Sequence, residues 1–408
     1  MAIGPFDLNL RHLRALLAVK EYGSVIAAAS IVNLSQPALT HGIVKLERQF
    51  GYPLFERRTN GMVATSIGDM VTERVASAME HLATGTQALA GGIAQPERRI
   101  TMTQLRAFIA LVDAGSFTAA GETAGLSQTA VHRAVRELET GIRKKLVERR
   151  GRGVALNAAG QRFARSTRLA IGEIGAIFSE LGLDPGGLSI AVGTMPLARP
   201  FLVPEAMAKM VVEKSAAGFR VFEGSWSELV EELREGKIDM VVGELRPYEV
   251  SDLSQQPLYH DPLVIVAGVQ HPLVGDAEPT LDTLATYPWI VGPVNSPLRA
   301  EWEQLFAGRP LPECPIECGS VMIIGRLLTS GNFLTVLTPD QVALQIRSGL
   351  LARVGPPLSD SRFLMGITTR RGWRPTAVQR QFMAQLQQVA DDLLSAEPKA
   401  GRIVGEWV

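Results

Sequence analysis

Two short stretches of this 408-residue chain hold side chains suited to reading the edges of base pairs. Behind Ser35 come Gln36, Pro37, Thr40, His41 and Lys45. Behind Ser127 come Gln128, Thr129, His132, Arg133 and Arg136. On a helix each polar set falls on one outward face. Glutamine pairs well with adenine and arginine with guanine, while lysine and arginine also neutralise phosphates. Each stretch is followed by a basic loop with glycine, Arg57-Arg58-Thr59-Asn60-Gly61 and then Arg149-Arg150-Gly151-Arg152-Gly153. An arginine in such a loop can meet a phosphate or enter a narrow minor groove. Both stretches are therefore candidates for contact with double-stranded DNA. Ion pairing of Arg57 and Arg149 within the fold, and plain solvent exposure of His41, are the competing readings.

A second group of polar residues follows strand-like runs later in the chain. Thr194 and Met195 follow Leu188 to Val192, and Ser225 and Trp226 follow Phe219 to Phe222. Asn295, Ser296 and Arg299 follow Trp289 to Val291, and Ser320 opens a helical run. In open α/β architecture ligands bind beyond the carboxyl ends of strands, and helix N-termini there favour anions. Hydroxyls, an amide, an indole for stacking and the Arg299 fork would suit a small carboxylate, aromatic or sugar-derived. Each could instead be a cap or a packing residue. Catalytic signatures are missing: no Gly-x-Ser-x-Gly, phosphate loop, His-Glu-x-x-His or dinucleotide fingerprint stands in a usable context. The six histidines show no metal-ligand spacing, and Cys314 and Cys318 are not a Cys-x-x-Cys pair. No enzyme, metal or cofactor is expected.

The base-reading sets need a helix-turn-helix with a wing to carry them. An amphipathic helix (Leu13, Leu16, Leu17; then Leu105, Phe108, Ile109) stops at Gly23 or Gly115, where glycine takes the left-handed conformation. Ser24 or Ser116 caps an alanine-rich second helix. Asn33-Leu34 or Gly125-Leu126 makes the turn, and Ser35 or Ser127 caps the third helix. Pro37 sits harmlessly in its first turn. Leu39, Ile43 and Leu46 face inward there, as do Val131, Val135 and Leu138. The two copies lie 92 residues apart without a gap and share about 20 of roughly 56 positions. Two copies are too few for a solenoid, so the pattern is a duplicated domain.

Both copies resemble the DNA-binding domain of LysR-type transcriptional regulators. The resemblance rests on Ser35-Gln36-Pro37-Ala38, on the Leu46-Glu47 and Leu138-Glu139 pairs, and on Leu54-Phe55-Glu56-Arg57 before the wing. The second copy departs at Thr129, Val147 and Arg143, where the family has proline, phenylalanine and glycine. The first carries Gly42 inside its recognition helix, which costs about 1 kcal/mol relative to alanine. An ordinary member has one such domain. Gly224-Ser225-Trp226-Ser227-Glu228-Leu229 through Gly236-Lys237-Ile238-Asp239 resembles that family's effector domain. So does Pro262 to Val266 followed by His271-Pro272-Leu273. The resemblance implies two periplasmic-binding-protein-like lobes joined by crossing strands, with the ligand between them.

The expected architecture is multidomain: two α-rich winged helix-turn-helix domains with long linker helices, and an α/β two-lobed effector domain. Winged domains take residues 1–66 and 96–157, linker helices 67–95 and 158–184, and the effector domain 187–396. Lobe one is about 187–261 and 368–390, lobe two about 262–367, with the second crossing near Phe363 to Thr368. Val71, Val75, Ala78, Leu82 and Leu89 form one coiled-coil seam. Phe163, Thr167, Ala170, Ile174, Ile177 and Leu181 form a bulkier one. The resemblance makes these the helices that join subunits into a dimer or tetramer, the second more strongly. Packing of either stripe on its own chain is the alternative. Charge follows the same division: residues 1–185 hold 22 Lys and Arg against 16 Asp and Glu, and the remainder 19 against 25. No apolar run is long enough for a membrane span and no signal peptide is visible, so a cytoplasmic location is expected. The expected function is sequence-specific transcriptional regulation under a small-molecule effector, with RNA polymerase as a further candidate partner. The rival is a small-molecule binding protein whose winged domains serve oligomerisation.

Overall fold

The structure, a computed structural model, describes residues 3–396 except 60, 88, 90–94, 151–152, 184–187, 199, 214–216 and 295. The linker breaks at Gly91 to Ala94 and Asp184 to Gly187, and the tail from Glu397, lie outside these residues. The chain divides into two compact units, the first made of residues up to Ser189 together with Arg234–Lys237 and the second of the remainder.

The first unit contains the same six-element motif twice. Copy one is α1 (Leu10–Tyr22), α2 (Val25–Ile31), α3 (Gln36–Phe50), β1 (Phe55–Arg58), β2 (Gly61–Ala64) and α4 (Ser66–Gln87). Copy two is α5 (Met102–Ala114), α6 (Phe117–Ala124), α7 (Gln128–Ile142), β3 (Val147–Arg150), β4 (Gly153–Leu156) and α8 (Ala158–Glu180). A 3-10 turn precedes each, Pro5–Asp7 and Pro96–Arg99. Gly23 and Gly115 end α1 and α5 at φ 63° and 67°. Ser24, Ser35, Ser116 and Ser127 cap the next helices through their hydroxyl oxygens. The antiparallel wings β1–β2 and β3–β4 are tied back to these turns: Met62 N donates to Gly23 O and Val154 N to Gly115 O.

The Leu-Glu pair has a mechanical role. Glu47 Oε1 accepts from Leu54 N at 2.8 Å and Phe55 N at 3.4 Å; Glu139 Oε1 accepts from Leu146 N at 2.8 Å and Val147 N at 3.3 Å. The carboxylate thereby closes the loop from recognition helix to wing. Gly42 also finds its reason, since a Cβ there would come within 2.8 Å of the His12 ring where α1 crosses α3.

The long helices give a different result from the subunit joint expected of them. α4 packs against α8 of the same chain. Val71, Val75, Ala78 and Leu82 are fully buried, as are Phe163, Thr167, Ala170, Ile174 and Ile177, with no second chain present. One apolar core runs through both copies. Both seams are thus covered within the chain and are not open for joining subunits in this arrangement. Bulky Phe and Ile of α8 fit the small Val and Ala of α4, so each stripe is the other's partner.

The second unit is α/β. Its elements are β5 (Leu188–Thr194), α9 (Leu202–Val212), β6 (Ala217–Glu223), α10 (Trp226–Arg234), β7 (Met240–Glu244), β8 (Leu253–Gly268), α11 (Leu281–Ala285), β9 (Ile290–Val291), α12 (Pro297–Leu305), β10 (Ile316–Glu317), α13 (Val321–Leu328), β11 (Thr335–Leu337), α14 (Ala343–Arg347), β12 (Leu351–Arg370) and α15 (Ala377–Ala396). The main sheet runs β11-β8-β12-β7-β5-β6, with β5 parallel to β7 and β12 antiparallel to both β7 and β8. β9 and β10 form a second, parallel pair.

β8 and β12 run through both lobes. Their pairing shifts register twice at midlength, between Val354↔Ile265 and Leu358↔Leu263 and again between Leu358↔Leu263 and Arg362↔Pro262, and once more between Met365 and Gly366. From Met365 to Thr368 the strand already pairs with β7. The second crossing therefore precedes Phe363 instead of occupying Phe363 to Thr368, and residues 363–367 belong with lobe one. Separate cores serve the lobes: Phe382, Leu386 and Val389 of α15 pack under β5 and β7, whereas Trp289, Trp302 and Phe306 build lobe two.

Candidate nucleic-acid interface and effector site

α3 and α7 each divide into a buried and an exposed side. Leu39, Ile43 and Leu46 are buried, and so are Val131, Val135 and Leu138. Ser35, Gln36, Pro37, Thr40, His41 and Lys45 are exposed together, as are Ser127, Gln128, Thr129, His132, Arg133 and Arg136. The structure thus brings each expected set onto one open face. Val44 joins the first at 43% exposure. Its type reads as core, and only its alignment with Arg136 marks it as outward. An exposed aliphatic there suits a thymine methyl.

The basic groups are held loosely. Arg133 Nε lies 3.8 Å from Glu137, and Arg58 lies 3.2 Å from Glu56, all four side chains more than half exposed. Such pairs contribute little in water and exchange readily for phosphate. Arg57 is exposed on β1. The side chains of Arg149 and Arg150, and all of Arg152, lie outside the described residues. The His132 ring stands edge-on to Phe117 with centroids 5.0 Å apart. Burial holds the His12 imidazole below its usual range, and Lys45 and His41 beside it push the same way. The neutral form therefore sits behind the first recognition helix.

The expected effector residues collect at strand ends, with different duties. Thr194 ends β5 and is buried. Met195 is turned into the core against Gly243, where a Cβ would lie 2.5 Å from it, so it packs instead of facing a ligand. Ser225 precedes α10 and is tied to Glu228: its N–H and hydroxyl donate to Glu228 Oε2 at 2.8 and 2.7 Å, and both bonds hold that carboxyl below the usual range. In lobe two, Gly319 packs on Pro293, bringing the loops after β9 and β10 together. Ser296 caps α12 by accepting from Arg299 N, and Ser320 stands before α13 without a side-chain cap bond. Arg299 is not the free fork expected: it pairs with Glu303 and Glu317, both at 2.9 Å, and these carboxylates raise its pKa. Asn295 lies outside the described residues.

A cation that sequence reasoning passed over takes its place. Arg246, two residues beyond β7, lays its guanidinium over Trp226 at 4.7 Å from the ring centroid. Its Nε is buried without a hydrogen-bond partner among the described residues. The strand-end rule that selected Thr194 would have found it had β7 been extended to Glu244. Glu244 and Asp261 are also buried, opposite Met365 and Phe363 of β12, and Tyr259 in β8 donates to Asp340 at 3.0 Å, linking the lobes. Burial, then Asp340 and Asp261, drive the Tyr259 phenol well above its usual range. Among the described residues no cluster of three or more metal-ligating side chains occurs, and no helix is long and apolar enough to cross a membrane.

Comparison with known proteins agrees with this division. Residues 10–69 and 102–161 each match the bacterial regulatory helix-turn-helix protein, lysR family, and residues 186–391 match the LysR substrate binding domain. The HTH-type transcriptional regulator GalR of Pseudomonas putida is 30% identical over 386 residues, covering 93% of this chain and 97% of that protein. PcaQ of Agrobacterium fabrum is 26% identical and covered to 97%, yet it spans only 73% of this chain. Among solved structures, ArgP from Mycobacterium tuberculosis shares the fold with a TM-score of 0.56 at 17% identity, covering 70% of this chain and 96% of its own. Full-length LysG from Corynebacterium glutamicum with bound effector Arg gives 0.52 at 17% identity, covering 71% and 97%. GalR matches at a length that includes both copies, whereas PcaQ, ArgP and LysG leave more than a quarter of this chain unmatched. The chain belongs to the LysR family: it is a DNA-binding transcriptional regulator with an effector-binding domain, and it carries the family's helix-turn-helix unit twice.

Proposed function

We propose that both winged units touch duplex DNA, the first through Gln36, Thr40, His41, Lys45 and its Arg57-Arg58 wing, the second through Gln128, His132, Arg133, Arg136 and the wing at Arg149, Arg150 and Arg152. The observation that carries this is the clean division of α3 and α7, each with a polar, basic face left open beside a fully packed one. A unit kept only for oligomerisation has no use for such a face. The protein acts in the cytoplasm, and RNA polymerase would be its partner where the output is activation. Binding should fall steeply with salt. Replacing Lys45, or Arg133, with alanine should lower the salt slope by about one where the side chain meets a phosphate. Unchanged slope and affinity for every variant of one copy would remove that copy from the interface.

The effector is a small carboxylate held at the carboxyl ends of the lobe-one strands, with Arg246 as its cation, Trp226 as its stacking face and Thr194 as a hydroxyl partner. Ser225, Ser296 and Arg299 order the loops that surround it, and Ser320 keeps its hydroxyl out of the α13 cap. Thermal-shift screening of aromatic and sugar-derived acids tests this. Arg246→Gln should abolish the shift given by an active acid, and a shift that survives it would place the cation elsewhere.

A further inference from the structure

The two copies are related by more than sequence. Along α4, Arg74 reaches Glu173 at 3.1 Å and Glu180 at 3.3 Å, while Gly85 meets Ser166. Moving up α4 is moving down α8, so the helices are antiparallel. Ser166 is the repeat counterpart of Arg74, and Ile177, which lies between Glu173 and Glu180, is the counterpart of Gly85. The same two positions therefore meet twice, once in each direction. A two-fold axis does this and a translation does not. Contacts at the flanks are reciprocal as well. The turn Pro5–Asp7 of copy one packs on α8, and the turn Pro96–Arg99 of copy two packs on α4.

The pairing is also selective. Arg74 is almost fully buried, with 7% of its side chain exposed, and it pairs with two carboxylates of α8, Glu173 and Glu180. Two α4 helices in the same register would set Arg74 against Gly85, with His81 in the place of Glu173. Two α8 helices would set Glu173 and Glu180 against Ser166 in the place that Arg74 fills. A buried charge without its partner is strongly disfavoured. The seam thus prefers one copy of each kind, and residues 88–95 join those copies covalently, which raises their effective concentration.

Resting on the reading that both winged units touch DNA, we propose that one chain is a complete two-fold DNA reader whose two recognition helices take the two halves of an inverted repeat with unequal half-sites. Duplex DNA has local two-fold axes, and a protein dyad matches them. The halves are unequal because the reading faces differ. Gln36 and Gln128 coincide and call for the same base, adenine by geometry. The pairs His41/Arg133, Val44/Arg136 and Lys45/Glu137 do not coincide. The complex accordingly has a fixed polarity on the duplex, with copy one always on the same half.

Two measurements on the full-length chain test this. Hydrogen exchange is followed while dilution takes the protein to single chains, as counted by mass photometry. Protection of α4 and α8 should persist in the single chain; its loss on dilution overturns the internal pairing. Hydroxyl-radical footprints are then taken on duplexes selected by the protein from a random pool. Gln36→Ala/Lys45→Ala and Gln128→Ala/Arg133→Ala/Arg136→Ala should each clear one half of the protected region and weaken binding roughly tenfold or more. Heteromers of the two variants, purified by two tags, should not regain the full footprint. Full recovery in the heteromer would show that the reader is assembled between chains. A variant that keeps the whole footprint would show that its copy does not read DNA, a failure of the underlying reading and separate from the pairing.

Discussion

The two winged copies share a backbone and differ at its surface. Gly23 and Gly115 take nearly the same φ, and both second and third helices start on a capping serine. Glu47 and Glu139 close the same loop, and Gly68 and Gly160 let the long helix pass the same carbonyl. Outward positions have diverged in size and sign, Lys45 against Glu137 most clearly. Backbone hydrogen bonds and close approaches admit few residue types. A face that meets solvent or DNA admits many, so it records what each copy is for.

The comparison breaks most easily at the close approaches. A Cβ on Gly68 would lie 1.9 Å from Leu54 O, and one on Gly160 would lie 2.1 Å from Leu146 O. Gly68→Val and Gly160→Val should each cost about 3 kcal/mol or more by denaturant unfolding; a large gap between them would mean the copies are not equivalent scaffolds. Alanine at Glu47 or Glu139 leaves two backbone N–H groups without their acceptor, a loss of about 2 kcal/mol. The Glu139 variant should suffer more, since that residue is 5% exposed and also holds Lys145 at 2.8 Å. Where the copies differ in backbone chemistry the sign reverses. Arg143 stands at φ 52° where copy one has Gly51 at φ 76°. Arg143→Gly should therefore raise stability by about 1 kcal/mol and Gly51→Arg lower it by a similar amount.

The smallest effect is a pH dependence confined to copy one. His12 titrates below its ordinary 6.5 in the folded protein, chiefly through burial. Below that pH the unfolded chain takes up a proton that the folded copy resists. The stabilisation is thus present above pH 6.5 and lost as pH falls toward the folded value. Copy two has Gln104 at this position. His12→Gln should flatten the acid limb of the stability profile measured by thermal melts, and an unchanged limb would assign it elsewhere.

The winged units were legible because local rules decide them: a serine cap, a left-handed glycine and an apolar stripe are each written within a few residues. Sequence also showed that two stripes needed covering. It could not say by what, because the match of Phe163 and Ile174 to the small residues of α4 is a relation between distant segments. The effector site was less legible for the same reason. Ser225 and Ser296 were found at strand ends, but the tie of Ser225 to Glu228, the use of Ser296 as a cap, the commitment of Arg299 to Glu303 and Glu317, and the seating of Arg246 on Trp226 depend on neighbours no local pattern names. Val44 was missed because an aliphatic residue signals burial unless its helical phase is compared with the other copy.

The paired strands β8 and β12 carry a mechanical consequence. They are side-by-side leaf springs, each clamped in both lobes and thinned along one shared stretch, from Val354↔Ile265 to Arg362↔Pro262, where the register shifts twice. Twin leaves resist torsion and sideways slip and yield about a single axis. Lobe movement is then one coordinate, with the Tyr259–Asp340 bond beside the flexure as its stop. A ligand of almost any shape that fits between the lobes would push along that same coordinate, and the signal leaving the domain would be an angle, not an imprint of the molecule that set it.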